Sequence, residues 1–408
     1  MTTIGPKTFR SRTTRASVGL LAAAATTAAV AGAAMAAPAT AASSGPTPGR
    51  PGVQQALDRA MTETGLPGIL ATVREGNDQW FGTAGVADTR TGRKRLPQER
   101  FRIGSITKTF TATVVLQLEA EGKLSLDDTV EKWLPGLVRG NGNDGRRITI
   151  KQLLNMTSGL FNHLNDKQML TRLAGPGFLK HRYDRYQPQQ LVKIGTANAP
   201  DFKPGQGWTY TNTGYVLAAM IVEKATGKTY AEQVSQRIIR PLGLTGTRVP
   251  GDEEVRIRGP HPRHYSTLFS QEPKPTIYDV TELNPSAGWA AGNMVSTAAD
   301  LDRFFTALLK GRLLPQAQQR EMFATNPVPE GKWIPNTTYG LGMSSVKLSC
   351  GATVWGMGGA LQGSWSYAYG TRDATRMLVQ NVNGDWNNPI GTVFTPVLEA
   401  EFCATGSR

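Results

Sequence analysis

The chain has only two cysteines and four histidines in 408 residues. His163, His181, His261 and His264 form no H-x-x-x-H, and Cys350 and Cys403 form no C-x-x-C. Metal-ligand spacing is therefore missing, which argues against zinc hydrolase chemistry. No G-x-S-x-G occurs, so the nucleophile elbow of α/β-hydrolases is missing too. Acidic residues are the scarcer charge, 31 against 45 Lys and Arg, a net charge of +14. The basic residues are dispersed and no basic run alternates with aromatics, so a nucleic-acid partner is not expected. Glycine shows no G-X-Y period and there is no repeat at solenoid spacing. A hydrophobic share of 39% with 19% charged residues is that of an ordinary folded protein.

The N-terminus carries an export pattern. Lys7, Arg10, Arg12 and Arg15 precede a small, apolar stretch from Val18 to Ala37, and Ala39-Thr40-Ala41 has the small-x-small form of a cleavage site. The expectation is a signal peptide over 1–41, a linker over 42–52 and a secreted protein. No later segment has 18 consecutive apolar residues. Without residues 1–41 the chain keeps 41 basic and 31 acidic residues, a net +10. Such a charge suits anionic surfaces such as cell-wall polymers. Export also places Cys350 and Cys403 in an oxidising compartment, where one bridge between them is expected.

Hydrophobic periodicity predicts a helix over 54–64 and a hairpin of strands over 68–75 and 79–86. A helix follows from Ser105 to Leu124, with further helices over 213–226 and 229–240. Thr297 caps another ahead of an apolar face. Strand-like runs return at 339–346, 353–357, 364–369 and 376–380, and 390–402 closes as a helix. Strands near both ends around a helical middle predict an α+β fold. One antiparallel sheet is flanked by N- and C-terminal helices and interrupted by a large, mainly helical insertion. Residues 53–98 and 335–408 are assigned to the sheet part and 99–334 to the helical part.

Within this frame Ser105-Ile106-Thr107-Lys108 puts a hydroxyl and an amine on one helix face, since i and i+3 are neighbours. A neutral Lys108 beside Ser105 can take its proton if burial lowers the amine's pKa. A plain helix cap is the competing reading of Ser105. Ser344-Ser345-Val346-Lys347 repeats the pattern in a strand-like segment, where the two side chains point to opposite faces. Tyr210-Thr211-Asn212 is the only Y-x-N in the chain. A phenol there can relay a proton to and from Ser105, while Asn212 holds Lys108 or a substrate. A buried tyrosine with a capping asparagine is the competing reading.

Taken in order, FRIGSITKTFTATVVLQLEAEGKLSLDDTV (101–130), ITIKQLLNMTSGL (148–160), YTNTGYVLAAMIVEKATGKT (210–229) and RPLGLTGT (240–247) resemble one superfamily. It is that of penicillin-binding proteins and serine β-lactamases, and the similarity extends over 53–403. Secreted D-alanyl-D-alanine carboxypeptidases and class C β-lactamases are its nearest members. The resemblance implies an acyl-enzyme on Ser105, with Lys108 as base, Tyr210 assisting proton transfer and Asn212 contacting the substrate amide. It implies no cofactor and no metal. Its substrates would be small peptides, esters or β-lactams, with peptidoglycan as a possible partner and a monomer as the expected state.

The family's third motif, H/K-T/S-G, falls on Met357, Gly358 and Gly359. The backbone N–H groups of Ser105 and of the next residue, Ala360, would form the oxyanion hole. Met357, Gly358, Gly359 and Ala360 are thus expected to line the substrate. Met and Gly supply no charge or hydroxyl for a substrate carboxylate, and Ser344 stands near where relatives carry an arginine. A missing bidentate cation costs about 1.5–3 kcal/mol of charged hydrogen bonding. Arg256, Arg258 and Arg263 are the candidates to restore it. Met156 is a second departure, where many relatives have histidine. Three functions follow: a D-alanyl carboxypeptidase, an esterase or amidase for uncharged substrates, and a non-catalytic penicillin-binding relative. Retention of Ser105, Lys108, Tyr210 and Asn212 argues against the third.

Overall fold

In the computed structural model, residues 49–403 are described. The export segment assigned to 1–41, and most of the linker, lie outside them. Pro51 and Gly52, read as linker, instead open helix α1 (Pro51–Thr64). Proline suits that first turn, where its missing N–H has no helical partner to lose.

Eight antiparallel strands form the sheet: β1 (Gly68–Glu75), β2 (Asp78–Gly85), β3 (Asn326–Pro327), β4 (Thr337–Tyr339), β5 (Ser344–Lys347), β6 (Thr353–Leu361), β7 (Ser364–Gly370) and β8 (Arg376–Val382). Their order is β2-β1-β8-β7-β6-β5-β4-β3. The first and last strands of the chain pair with each other one strand in from the β2 edge, with Ile69 opposite Val382 and Glu75 opposite Arg376. This is the α+β sheet expected from both ends of the sequence.

Strand alternation sorts side chains between two cores. Ile69, Val73, Leu378 and Val382 pack with α1 and with the last helix, α5 (Thr395–Phe402). Leu70, Met377 and Val379 face the opposite side, against α2 (Thr107–Ala120), α3 (Thr213–Thr226) and α4 (Ala298–Leu309). Helix α2 is buried from Thr107 to Leu116, so it has no polar face and runs through the centre of the helical part. Its threonines remain satisfied: Thr109 donates to the Gly342 carbonyl at 2.7 Å and Thr111 to that of Ala290 at 2.7 Å.

Two expected elements divide. The run over 339–346 becomes β4 and β5, because Gly342 turns the chain at a φ of 70°. A Cβ there would lie 2.7 Å from the Ala112 methyl, so only glycine lets this turn rest on α2. The closing helix begins as a wide turn over Ile390–Phe394 before α5. Cys350 and Cys403 are bonded, tying the β5–β6 connection to the end of α5. Closing a loop of this length contributes about 4 kcal/mol on the chain-entropy model.

Candidate active site

Ser105 sits on a single tight turn, Gly104–Ile106, immediately before α2. Gly104 adopts a φ of 50°, in the left-handed region that favours glycine. Strand β5 pairs with β6 only as far as Gly356, which leaves one edge of residues 357–361 unpaired by the sheet. The Ser105 turn lies against that edge. A Cβ on Gly104 would be 2.7 Å from the Ala360 carbonyl carbon, so backbone meets backbone here.

One helical turn on, Lys108 is completely buried. Its Nζ lies 3.0 Å from Ser105 Oγ, 2.7 Å from Asn212 Oδ1 and 2.8 Å from the Ala291 carbonyl. Burial pushes the amine well below the usual lysine range. In the neutral form that burial favours, the amine's two N–H bonds can go to Asn212 Oδ1 and Ala291 O, which are acceptors only. The remaining lone pair then points to the Ser105 hydroxyl. The second S-x-x-K match cannot do this, since Ser344 is buried and Lys347 is exposed on β5.

Tyr210 stands beside the same serine, close enough for its hydroxyl to feel Ser105. Its ring lies 4.8 Å from Lys108 Nζ and stacks on Trp333 at 5.6 Å, with Tyr339 edge-on at 6.5 Å. Burial raises the phenol's pKa above its usual value, so it stays protonated and serves as a donor. Met156 supports this segment from below. It is buried with a φ of 67°, and its sulfur accepts from the Thr211 N–H at 3.3 Å.

Met357 does not line the substrate. It is fully buried in the core, 3.8 Å from the Ser344 hydroxyl, which itself donates to the Gly356 carbonyl at 2.8 Å. Gly358 is also closed off: a Cβ there would be 2.7 Å from the Tyr367 ring, so packing excludes the family's hydroxyl residue. Gly359 faces the Ser105 turn and Ala360 is exposed beside it. The three arginines held in reserve are engaged elsewhere, Arg256 with Glu282, Arg258 with Glu254, and Arg263 with Asp88 and Asp279.

A mainly apolar cavity opens at Ala360, walled by Leu173, Phe178, Phe269, Leu361 and Trp365. His181 and Asp184 form a 2.8 Å pair at its polar end. Arg182 also lines it, but its Nε and Nη1 donate to the carbonyls of Glu282 and Asp279. Phe269 is 44% exposed and follows Leu268 in a second left-handed conformation, φ 55° and 60°. Two such non-glycine residues in succession store strain beside the cavity.

Sequence reasoning missed Asn162, His163, Ala291, Trp333 and Phe269. Asn162 and His163 come one residue after the segment 148–160, separated from it by Phe161, and that proximity was the available signal. His163 carried no ligand pattern, and the structure buries it between the Thr213 hydroxyl at 3.1 Å and the Ala287 carbonyl at 2.9 Å. Ala291 acts through its backbone, which side-chain patterns do not reveal.

The sequence model of the family described as Beta-lactamase matches residues 53–391. Penicillin-binding protein 4 of Amycolatopsis lactamdurans is 30% identical over 251 residues, 62% of this chain and 61% of that protein. The chain spans 58% to 64% of the length of three curated penicillin-binding relatives. A D-stereospecific amidohydrolase from Streptomyces sp. superposes with a TM-score of 0.81 at 49% identity, covering 88% of this chain and all of that one. D-amino acid amidase from Ochrobactrum anthropi SV3, complexed with L-phenylalanine amide, gives 0.73 at 27%, covering 86% and 97%.

Proposed function

The chain belongs to the beta-lactamase family, and from that premise we propose that it hydrolyses amides and esters of apolar D-amino acids through an acyl-enzyme on Ser105. The observation that carries this reading is Lys108, completely buried, with Nζ 3.0 Å from Ser105 Oγ and held by Asn212 Oδ1 and the Ala291 carbonyl. Ser105 Oγ gives its proton to Lys108 Nζ as it bonds to the substrate carbonyl carbon. The carbonyl's π electrons move to oxygen, between the N–H groups of Ser105 and Ala360. The intermediate collapses as the C–N or C–O bond breaks, the Lys108 proton reaching the leaving amine or alcohol through the Tyr210 hydroxyl, and water then releases the acyl group by the reverse path.

Substrate class is argued from the third motif and the cavity. With Met357 and Gly358 buried, the third motif supplies no cation for a terminal carboxylate, which weighs against a D-alanyl carboxypeptidase. The apolar walls beside Ala360 suit a hydrophobic acyl side chain. D-configuration is suggested by the 49% identical amidohydrolase, whose whole length this chain covers. Secretion is part of the proposal, and the Cys350–Cys403 bridge supports it.

The test compares kcat/KM for D-phenylalanine amide, its L-enantiomer and a D-alanyl-D-alanine peptide, with intact mass recording the acyl-enzyme. The D-amide is expected to lead the other two by tenfold or more. Preference for the free-carboxylate peptide over its amidated twin would return the carboxypeptidase reading to first place.

A further inference from the structure

Three N–H groups converge on Oδ1 of Asn162: the backbone N–H of Leu164 at 3.3 Å, the backbone N–H of Asn212 at 3.3 Å and Asn212 Nδ2 at 3.2 Å. Two of the three belong to the main chain, so the acceptor end of this amide has one allowed direction. Turning Asn162 over would set its own NH2 against three donors. Asn212 is fixed in turn: Nδ2 faces Asn162, and Oδ1 faces Lys108 Nζ at 2.7 Å.

We propose that Asn162 is a positioning residue for the proton transfer, setting which end of the Asn212 amide faces Lys108 and so keeping the amine's lone pair on Ser105. The inference rests on the reading of Ser105 and Lys108 as nucleophile and base. Were Asn212 reversed, its Nδ2–H would donate into the Lys108 lone pair, and the Ser105 hydroxyl would lose its proton acceptor. The relay runs from the backbone of the 162–164 turn, through two amides, to the reacting amine. Both asparagines are largely buried, so water does not readily replace either link.

The titratable groups facing Lys108 are few. Tyr210 and Tyr215 present their rings to Nζ at 4.8 and 5.5 Å, and both phenols are held protonated by burial. His163 stands on the turn next to Asn162 and is held neutral by burial. Among the described residues no carboxylate ion-pairs with Lys108. A carboxylate introduced at position 162 would therefore be the nearest formal charge.

The experiment uses p-nitrophenyl acetate, whose reaction with Ser105 needs nothing from the D-amide reading. Acylation rates are taken from the burst phase across pH 5–9, for wild type, N162A and N162D. N162A should lower the acylation rate constant tenfold or more with little change in ester affinity. N162D keeps size and acceptor but adds a charge that favours the ammonium form, so the acid limb should move up by about one pH unit. That shift reports only that position 162 faces Lys108; a merely structural asparagine would leave the N162A rate per folded molecule at the wild-type value. Rates within twofold of wild type for N162A, or an unmoved limb for N162D, overturn the proposal. If N162A does not fold, N162S, whose hydroxyl is too short to reach Asn212 Nδ2, takes its place with the same two outcomes. Wild-type protein that is never acylated overturns the Ser105 reading and this proposal together. Acylation by the ester without D-amide hydrolysis overturns the substrate assignment only.

Discussion

Gly359 lies so close to Ser105 that a Cβ on it would sit 2.7 Å from the Ser105 nitrogen and 2.8 Å from that of Ile106. The strand edge and the nucleophile's turn are thus in backbone contact, with no room for any side chain between them. The same approach brings the Ala360 backbone, one residue on, beside the turn that carries Ser105.

Gly359→Ala should therefore separate the two backbones. The expected result is a loss of acylation of about a hundredfold or more, the scale of losing one oxyanion donor. Burst kinetics with p-nitrophenyl acetate and a thermal melt give the two readouts. Unchanged acylation would mean that β6 takes no part in the site.

Ser105→Ala should leave no covalent adduct by intact mass. Lys108→Ala should slow acylation by about 10²–10⁴-fold, the usual worth of a positioned base. In wild type the active form is the neutral amine, so kcat/KM rises with pH through the Lys108 pKa. Burial depresses that pKa, and the rise should be complete well below the ordinary lysine range. A rise centred on the ordinary lysine pKa would count against Lys108 as the base.

His163 makes stability depend on pH. Burial lowers its imidazole from 6.5 to about 4. The unfolded state binds the proton first as pH falls, so this contribution is present above pH 6.5 and lost between 6.5 and 4. Its full size is about 3 kcal/mol. Urea unfolding at pH 7 and pH 4.5 should show this loss in wild type and a smaller one in His163→Gln. Equal losses in the two proteins would assign the pH dependence to other groups.

Phe269 tests the cavity. Phe269→Ala removes one apolar wall while leaving Ser105, Lys108 and Tyr210 untouched. The ratio of kcat/KM for D-phenylalanine amide to that for D-alanine amide should fall about tenfold, near 1.4 kcal/mol. A constant ratio would place the acyl side chain elsewhere.

Much of this protein was written in linear order. Short runs at 68–75, 79–86, 353–357, 364–369 and 376–380 marked five of the strands, because β-branched and aromatic residues suit a pleated sheet and Gly and Asn break it between them. Ser105 and Lys108 were legible as a pair because helical geometry alone brings i and i+3 together. The Cys350–Cys403 bridge followed from there being only two cysteines in a chain with an export pattern. Tertiary structure decided the rest. Tyr210 and Asn212 lie more than a hundred residues from Ser105, and only the packing of α3 against α2 brings them to it. Met357 looked like a substrate contact because its motif position is one, yet its burial depends on Ser344 and a core assembled from distant segments. The neutral state of Lys108 comes from its burial, and the direction of its lone pair depends on a backbone carbonyl at Ala291 and the orientation of the Asn212 amide. Neither leaves a pattern in sequence, since a carbonyl belongs to every residue and an amide's direction is fixed only by its neighbours in space.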